Sequence, residues 1–402
     1  MNSGETGVPQ QFLTPTAVAH IAFVPTGILT ILLGPLLPSL EARWSLSDAQ
    51  AGELFTSQFL ASTVGVATSG MLVPRVGYRF VLVLGLACMG LGVGTLSAGS
   101  WAFGMASVAC FGTGLGLVIP TANLLVADEN PQSKASALSL LNFFWSVGAV
   151  ACPFLLAPFQ KSARTSTLLF ALGIAIAALA LFLASISLPR PAESAQTAAE
   201  SKRSLVNLMR TQAALMLGAL FFLYVGTESA VGGWLASYAK RITNSSGTMW
   251  VATPSFFYGA LLVGRALAPI ALRRISDLNL ARLGLATALL GVVALVASSS
   301  LVAVVGSAVV IGLGFSAIYP ITIALLSHKF ESAATRLGSV MFALAGFGGA
   351  CVPWLVGFFS TEMSSLQLAL IVPAAGCAAM LAIYLRNWQD TVAARLPTGE
   401  LD

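Results

Sequence analysis

A single carboxylate lies inside an apolar run near the middle of the chain. The run is FFLYVGTESAVGGWL at residues 221–235, and its acid is Glu228. A carboxylate accepts hydrogen bonds from two neighbouring hydroxyl groups of a solute, and it can take up a proton because removal from water disfavours its charged form. An ionisable group in an apolar segment is costly, so we interpret Glu228 as a functional residue. The alternative is a structural carboxyl bonded to a neighbouring helix.

Amide and aromatic side chains in other apolar runs are further candidates. Amides bond adjacent hydroxyl groups in pairs, and an aromatic ring packs against the apolar face of a ring-shaped solute. Asn142 and Trp145 are three residues apart and share a helix face, whereas Glu228 and Trp234 are six apart and do not. We predict substrate contacts from Glu228, Asn123, Asn142, Trp145, Gln58, Tyr224, Trp234 and Tyr319. For each aromatic residue, helix packing is the alternative.

Arg265 is a second charge inside an apolar run, about two helical turns from the end of that run. It could lock one conformation, contact a substrate or ion, or extend to the membrane surface. The other arginines of interest lie in short loops between apolar runs. We predict gating roles for Arg75, Arg79, Arg265 and Arg274.

The composition places these residues in a membrane. Hydrophobic residues make up 57% of the 402-residue chain and charged residues 9%, whereas soluble domains carry about 25% charged residues. A helix that crosses a bilayer needs roughly 20 mostly apolar residues. We predict an all-α integral membrane protein with spans at 16–40, 49–73, 80–99, 101–126, 138–160, 165–188, 211–239, 249–272, 280–299, 301–327, 336–360 and 365–387.

Basic residues set the expected orientation. Most Lys and Arg residues fall in the loops on one side if both termini are cytoplasmic, so we predict that arrangement in a multi-pass protein of the cell (inner or plasma) membrane. A polar segment at 189–210 separates two six-helix bundles, residues 1–188 and 211–402. The basic residues form no patch, which argues against a nucleic-acid partner.

The two halves resemble each other in sequence. GTGLGLVIP at 112–120 matches GLGFSAIYP at 312–320 at an offset of 200, and Gly148 matches Gly348. Earlier spans align at an offset of 199, which pairs Gly65 with Gly264. Two six-helix repeats place a binding site at their interface near the membrane midplane and suggest a transporter that rocks one half against the other.

The loop GMLVPRVGYR at 70–79 resembles the G-x-L-x-D-R-x-G-R-R signature of the major facilitator superfamily. The matching residues are Gly70, Leu72, Arg75, Gly77 and Arg79. The resemblance implies twelve transmembrane helices in two six-helix pseudo-repeats, the major facilitator fold, and alternating access. Pro74 stands at the acidic position of the signature, so the resemblance does not carry over the charge-relay lock of the superfamily.

A finer resemblance involves YVGTESAVGGWL. It looks like the seventh-span motif of the fucose–galactose–glucose:proton symporter family, while GLGLVIPTANLL with Asn123 and the pair Gly264-Arg265 resemble its fourth and eighth spans. The resemblance implies a monosaccharide as cargo. Proton symporters of the family carry two acids at places held here by Pro35 and Ile119. Coupling must therefore use Glu228, use another ion, or be absent.

We expect a secondary active transporter for a monosaccharide, a hexose in the simplest case, with Glu228 as the ion-coupling residue. The expected partners are the sugar, H⁺ or Na⁺, and the lipid bilayer, and we expect a monomer. No H-E-x-x-H, phosphate-binding loop or Cys/His cluster occurs, so we predict no enzyme activity, no cofactor and no metal. Two alternatives stay open: a proton-driven exporter of amphipathic or drug-like compounds, and a non-transporting membrane sensor on a carrier fold.

Overall fold

The computed structural model is almost entirely helical in the residues that it describes, which are 14–160, 164–191, 208–243, 247–330 and 333–386. The helices in chain order are α1 (Pro15–Ile31), α2 (Leu33–Trp44), α3 (Asp48–Thr95), α4 (Trp101–Glu129), α5 (Lys134–Leu156), α6 (Arg164–Ala184), α7 (Gln212–Thr243), α8 (Thr253–Ala271), α9 (Asp277–Val296), α10 (Leu301–Phe315), α11 (Ile318–Phe330), α12 (Ala334–Glu362), α13 (Leu366–Ala369) and α14 (Ile371–Leu385). Residues 192–207 of the predicted linker lie outside the described residues. The domain division at 189–210 therefore stays a prediction.

These helices provide twelve membrane crossings in the described part of the chain. Ten helices or continuous helix pairs are long and apolar enough to cross, and α1 with α2 forms one more span that bends by 46°. At 48 residues, α3 is about 72 Å long, more than twice the roughly 30 Å hydrocarbon core. Its backbone leaves the helix at Gly77, where φ is 83°, a region that glycine adopts readily. The helix α3 therefore supplies two crossings, and the twelve-span prediction is confirmed.

The two halves repeat the same helix contacts. A Cβ atom on Gly112 would lie 2.5 Å from the carbonyl oxygen of Gln58, and one on Gly312 would lie 2.3 Å from that of Phe257. Gly312 follows Gly112 by 200 residues and Phe257 follows Gln58 by 199, which are the offsets of the sequence repeat. Glycine lets the helix backbones approach this closely. The sequence repeat is therefore also a repeat of packing, as the predicted fold requires.

Gly348→Ala is expected to destabilise the C-terminal half. A Cβ atom at Gly348 in α12 would lie 1.9 Å from the carbonyl oxygen of Phe222 in α7, so the two helices would have to separate. Overpacking of this kind costs about 1–3 kcal/mol, and we expect a lower melting temperature of the purified protein in detergent. The control is Gly306→Ala in α10, where an added Cβ meets nothing within 4 Å. Equal melting temperatures for the two variants would contradict this close helix contact.

The halves meet tightly at one end of the bundle, which we call the sealed end. There the backbone N–H of Ala49 donates to Thr361 Oγ1 (2.9 Å). Further along the same helices, Thr56 Oγ1 donates to the Ala350 carbonyl oxygen (2.9 Å). We call the opposite end the terminal end. The span formed by α1 and α2 runs from Pro15 at the terminal end to the sealed end, and the span formed by α13 and α14 returns from the sealed end to Leu385 at the terminal end. The prediction that the terminal end is cytoplasmic stays a prediction.

An ion pair ties the halves together at the sealed end. Arg241, in the last turn of α7, donates from Nη1 to Asp48 Oδ2 (2.8 Å) and from Nη2 to Asp48 Oδ1 (2.5 Å). Ser360 of α12 also donates to Asp48, and Glu41 lies 3.8 Å from Arg241 Nη2. Asp48 begins α3 in the first repeat, whereas Arg241 and Ser360 belong to the second. The pair therefore holds this end closed.

Candidate functional site

A cavity of about 300 Å³ lies between the two repeats. Gly34 and Phe55 bound it where they meet Gly232 and Gly233 of the other half; a Cβ atom on Gly34 would lie 2.8 Å from the Gly232 carbonyl oxygen. The two halves are therefore in contact on the side of the cavity that is formed by Gly34 and Phe55. Asn142, whose side chain is exposed, is also part of the lining. The cavity lies at the interface of the repeats, where the sequence predicts a site. Binding of a solute there stays a prediction.

The two walls of the cavity differ in chemistry. The first repeat contributes a mainly apolar wall, formed by Phe23, Phe55, Phe59, Ile119, Asn142 and Trp145 among others. The second repeat contributes the polar wall, with Tyr224, Glu228, Ser229, Tyr258, Arg265 and Tyr319. Among the described residues that line the cavity, Glu228 is the one carboxylate and Arg265 the one cation. All ionic chemistry of the cavity therefore comes from one half.

Glu228 and Arg265 face the cavity without forming an ion pair. Tyr224 and Glu228 lie four residues apart on one face of α7, and Arg265 projects from α8. The Tyr224 hydroxyl interacts with both charged groups and lies 3.4 Å from the Phe315 carbonyl oxygen, to which it donates. Among the described residues, no carboxylate comes within 4.0 Å of the Arg265 guanidinium. Its Nε is shielded from solvent and has no hydrogen-bond partner.

Aromatic rings surround the polar wall. Trp145 lies edge to face with Tyr258 across the interface of the halves, with ring centroids 6.4 Å apart. Its Nε1 donates to Thr30 Oγ1 (3.3 Å). Tyr224 and Tyr319 stack with centroids 5.4 Å apart. The cavity therefore offers flat apolar faces next to hydroxyl, carboxylate and guanidinium groups.

The structure brings five of the predicted site residues together and places three elsewhere. Those that line the cavity are Asn142, Trp145, Tyr224, Glu228 and Tyr319. Gln58 is buried and donates to the Thr30 carbonyl oxygen (3.0 Å), and Asn123 donates to the Ile119 carbonyl oxygen one turn before it (2.8 Å). Trp234 is fully buried and donates to the Pro353 carbonyl oxygen (2.9 Å). Substrate contacts by these three residues stay predictions without support from the cavity.

The four arginines predicted to act in gating also separate. Arg75 and Arg79 are exposed on either side of Gly77 within α3, and Arg274 is exposed in the turn after α8 ends. Arg265 instead faces the cavity, so it does not extend to the membrane surface. Pro74 stands at the acidic position of the superfamily signature. Four residues later in α3, Tyr78 donates to Asp128. Gating by these arginines stays a prediction.

Two features of the structure were missed by sequence reasoning. Tyr258 lines the cavity and lies seven residues before Arg265 in α8, a spacing of two helical turns that puts both on one face. This spacing relative to Arg265 could have predicted that Tyr258 faces the same cavity. The pair Asp48–Arg241 joins residues 193 positions apart, and no sequence pattern indicates it. Ile119, where the resemblance implies an acid, also lines the cavity.

Comparison with known proteins gives consistent results over most of the chain. The family model of the Major Facilitator Superfamily matches residues 19–353. A glucose/galactose transporter of Brucella abortus biovar 1 (strain 9-941) is 28% identical over 388 residues, which cover 90% of this chain and 91% of the relative.

Two solved structures superpose on almost the whole chain. A variant of the nucleoside transporter NupG has a TM-score of 0.78 at 11% identity and covers 92% of this chain and 99% of its own. A variant of the E. coli fucose:proton symporter FucP has a TM-score of 0.63 at 19% identity, and the match covers 93% of this chain and 98% of the symporter. Because the nucleoside transporter gives the higher TM-score of the two, these likenesses indicate the fold and not the substrate.

Proposed function

The chain belongs to the major facilitator superfamily, and from this premise we propose that it carries a monosaccharide across the cell inner membrane by alternating access, coupled to a cation. The observation that carries the proposal is the cavity between the repeats, where an apolar aromatic wall faces a wall of hydroxyl and charged groups. The relative named a glucose/galactose transporter supports a hexose as the simplest cargo. We expect a monomer with both termini on the cytoplasmic side.

The arrangement of the halves supports alternating access. The sealed end is closed by the pair Asp48–Arg241 and by the close approach of Gly34 to Gly232. Rocking of one repeat against the other would break these contacts and expose the same cavity to the other side. The cavity lies between the moving parts, so one solute site can serve both faces of the membrane.

The chemistry of the two walls suits a sugar. Hydroxyl groups of a sugar donate to the Glu228 carboxylate and accept from Arg265, Tyr224 and Asn142, while the ring packs on Trp145. Glu228 is also the residue that can carry a proton, since the cavity has no other carboxylate in the described chain. Coupling follows if sugar and proton favour the same state of the carrier more strongly together than either does alone.

The second candidate is a proton-driven exporter of amphipathic compounds. The apolar wall formed by Phe23, Phe55 and Phe59 favours it, because a hydrophobic cation would pack there with Glu228 as counter-ion. Arg265 argues against it, since a guanidinium in the same cavity repels a cationic cargo. The two candidates therefore differ in the charge of the solute that should bind.

Ligand-dependent thermal stabilisation of the purified protein tests the proposal. The panel contains neutral and acidic monosaccharides and the lipophilic cation tetraphenylphosphonium, at two pH values, with and without sodium. A ligand at 100 times its Kd stabilises the folded state by about 2.7 kcal/mol, so a true substrate gives a clear rise in melting temperature. We expect a monosaccharide to do this and to exchange in proteoliposomes. Stabilisation by the lipophilic cation and by no sugar would replace this proposal with the exporter.

Two tryptophan variants should separate a site role from a packing role. Trp145→Phe removes the bond to Thr30 and part of the ring that faces the cavity, and we expect substrate affinity to fall by about 1 kcal/mol, roughly fivefold. Trp234→Phe leaves the buried Pro353 carbonyl oxygen without this donor, and we expect a stability loss of about 1–3 kcal/mol with affinity retained. Melting temperature and ligand titration measure the two effects. The reverse pattern would place Trp234 in the site.

A further inference from the structure

We infer that the preferred substrate is a monosaccharide with a carboxylate group, a hexuronate or an aldonate, which binds to Arg265 and moves together with one proton on Glu228. This inference rests on the proposed function and names the substrate class of the same cavity. Its support comes from the state of Arg265 and from the charge balance of the cavity.

The first observation is that Arg265 has no counter-ion in contact. No carboxylate of the described chain lies within 4.0 Å of its guanidinium, and its shielded Nε has no hydrogen-bond partner. The group in hydrogen-bond contact with the guanidinium is the Tyr224 hydroxyl, which carries no charge, while Glu228 interacts with it electrostatically from beyond contact distance. A charged group in the interior of a membrane protein is normally paired or hydrated. A guanidinium that faces a solute cavity in this state is a binding group for an anion, and it matches a carboxylate in two-point geometry.

The second observation is the charge balance between Glu228 and Arg265. When Glu228 is ionised, the two groups cancel, and a neutral solute leaves the cavity neutral. When Glu228 carries the transported proton, Arg265 leaves one uncompensated positive charge, and enclosing it away from water is unfavourable. A monoanionic substrate cancels that charge. A proton on Glu228 and a carboxylate on the sugar therefore favour each other's binding in the closed cavity.

No other group in the cavity changes this balance. The titratable side chains that face Glu228 and Arg265 are Tyr224 from α7, Tyr258 from α8 and Tyr319 from α11, and all three are neutral in their ordinary state. The wall from the first repeat adds no titratable side chain among the described lining residues; its polar members are Thr30, Asn142 and Trp145. The net charge thus depends on two residues and the solute.

The remaining groups suit the rest of a sugar acid. The hydroxyl groups of the tyrosines and the Asn142 amide can bond to sugar hydroxyls, and Trp145 offers a flat face to the ring. A cavity of about 300 Å³ is at the small end of ligand sites in proteins. The chemistry therefore selects for a compact solute with one negative charge.

The test uses the full-length wild-type protein with D-glucose, D-galactose, D-galacturonate, D-glucuronate and D-gluconate. Titrations should show at least one acid binding about tenfold or more tightly than the neutral hexoses, as expected for a charge-assisted contact. In proteoliposomes, a pH gradient should drive uptake of that acid. A potassium diffusion potential should leave uptake unchanged, because one proton and one monoanion carry no net charge.

A matched pair of variants assigns the effect to Arg265. Arg265→Gln should lose the preference for the acid by about tenfold or more. Arg273→Gln removes the same charge from an exposed position just beyond α8 and should keep the preference. Should Arg265→Gln fail to fold, the wild-type affinities and the response to membrane potential still decide the question.

The outcomes separate this inference from the proposal that it rests on. Neutral hexoses that bind as tightly as the acids, with uptake that responds to membrane potential, would overturn the inference and keep the monosaccharide carrier. Absence of binding and exchange for every monosaccharide, neutral and acidic, would overturn both. Tighter binding of an acid that persists in Arg265→Gln would also overturn the inference, since the carboxylate would then be held elsewhere.

Discussion

Glu228→Gln is expected to abolish uphill uptake in proteoliposomes while exchange of substrate for substrate continues. With one proton moved per substrate, a gradient of one pH unit supports about tenfold accumulation, because one pH unit corresponds to roughly 1.36 kcal/mol. The wild type should approach that ratio. The variant should stop when the inside and outside concentrations are equal.

The reason lies in the chemistry of the two side chains. Glutamine has nearly the shape of a neutral glutamic acid and still forms hydrogen bonds, so the cavity can bind and turn over its solute. It has no proton to release, and no second carboxylate lines the cavity in the described part of the chain. Ile119 lines the cavity at a position where the resemblance to proton symporters implies an acid. Loss of this one titrating group therefore removes the coupling.

Radiolabelled uptake and counterflow with the sugar that stabilises the wild type measure the two activities. The control is Glu129→Gln, which removes an acid from an exposed position at the end of α4, and it should accumulate substrate as the wild type does. Concentrative uptake by Glu228→Gln would show that coupling does not depend on Glu228. Loss of both uptake and exchange would place Glu228 in binding and leave the coupling group unidentified.

Asp48→Asn is expected to open the sealed end. The bidentate pair with Arg241 joins the two repeats, and Asp48 is largely buried with 14% of its side chain exposed. Removing one partner of a buried ion pair costs about 3–5 kcal/mol. Arg241 is 40% exposed, so solvent screening lowers the free-energy cost of losing the pair. We expect the equilibrium to shift by about 1–3 kcal/mol, roughly 5- to 150-fold, toward the conformation in which the sealed end is open.

Distances between spin labels on the two halves at the sealed end measure this shift. The wild type should give mainly the short distance, and Asp48→Asn should add a longer one. The exchanged pair Asp48→Arg with Arg241→Asp should restore part of the short population. Glu362→Gln, an exposed acid at the end of α12, is the control and should resemble the wild type. An unchanged distribution in Asp48→Asn would show that backbone contacts such as Gly34 with Gly232 close this end without the ion pair.

The class of protein and its fold could be predicted from the sequence alone. Apolar runs of about twenty residues require membrane helices whatever the tertiary contacts are, because each backbone polar group must bond within its own segment. The constant spacing between matching residues such as Gly112 and Gly312 indicates the duplication, and these two glycines make equivalent helix contacts in their respective halves. Glu228 was recognisable because a carboxylate in an apolar run stands out locally.

The composition of the cavity depended on tertiary structure. Trp145 and Trp234 lie in equally apolar sequence, yet one lines the cavity and the other is buried against Pro353. Their difference comes from the rotation of each helix and from the contact between the halves, and neither leaves a local pattern. The Asp48–Arg241 pair and the unpaired state of Arg265 arise in the same way. Hydrophobicity and periodicity act along the chain and fix which segments cross the membrane, whereas side chains distant in sequence meet only when the helices pack.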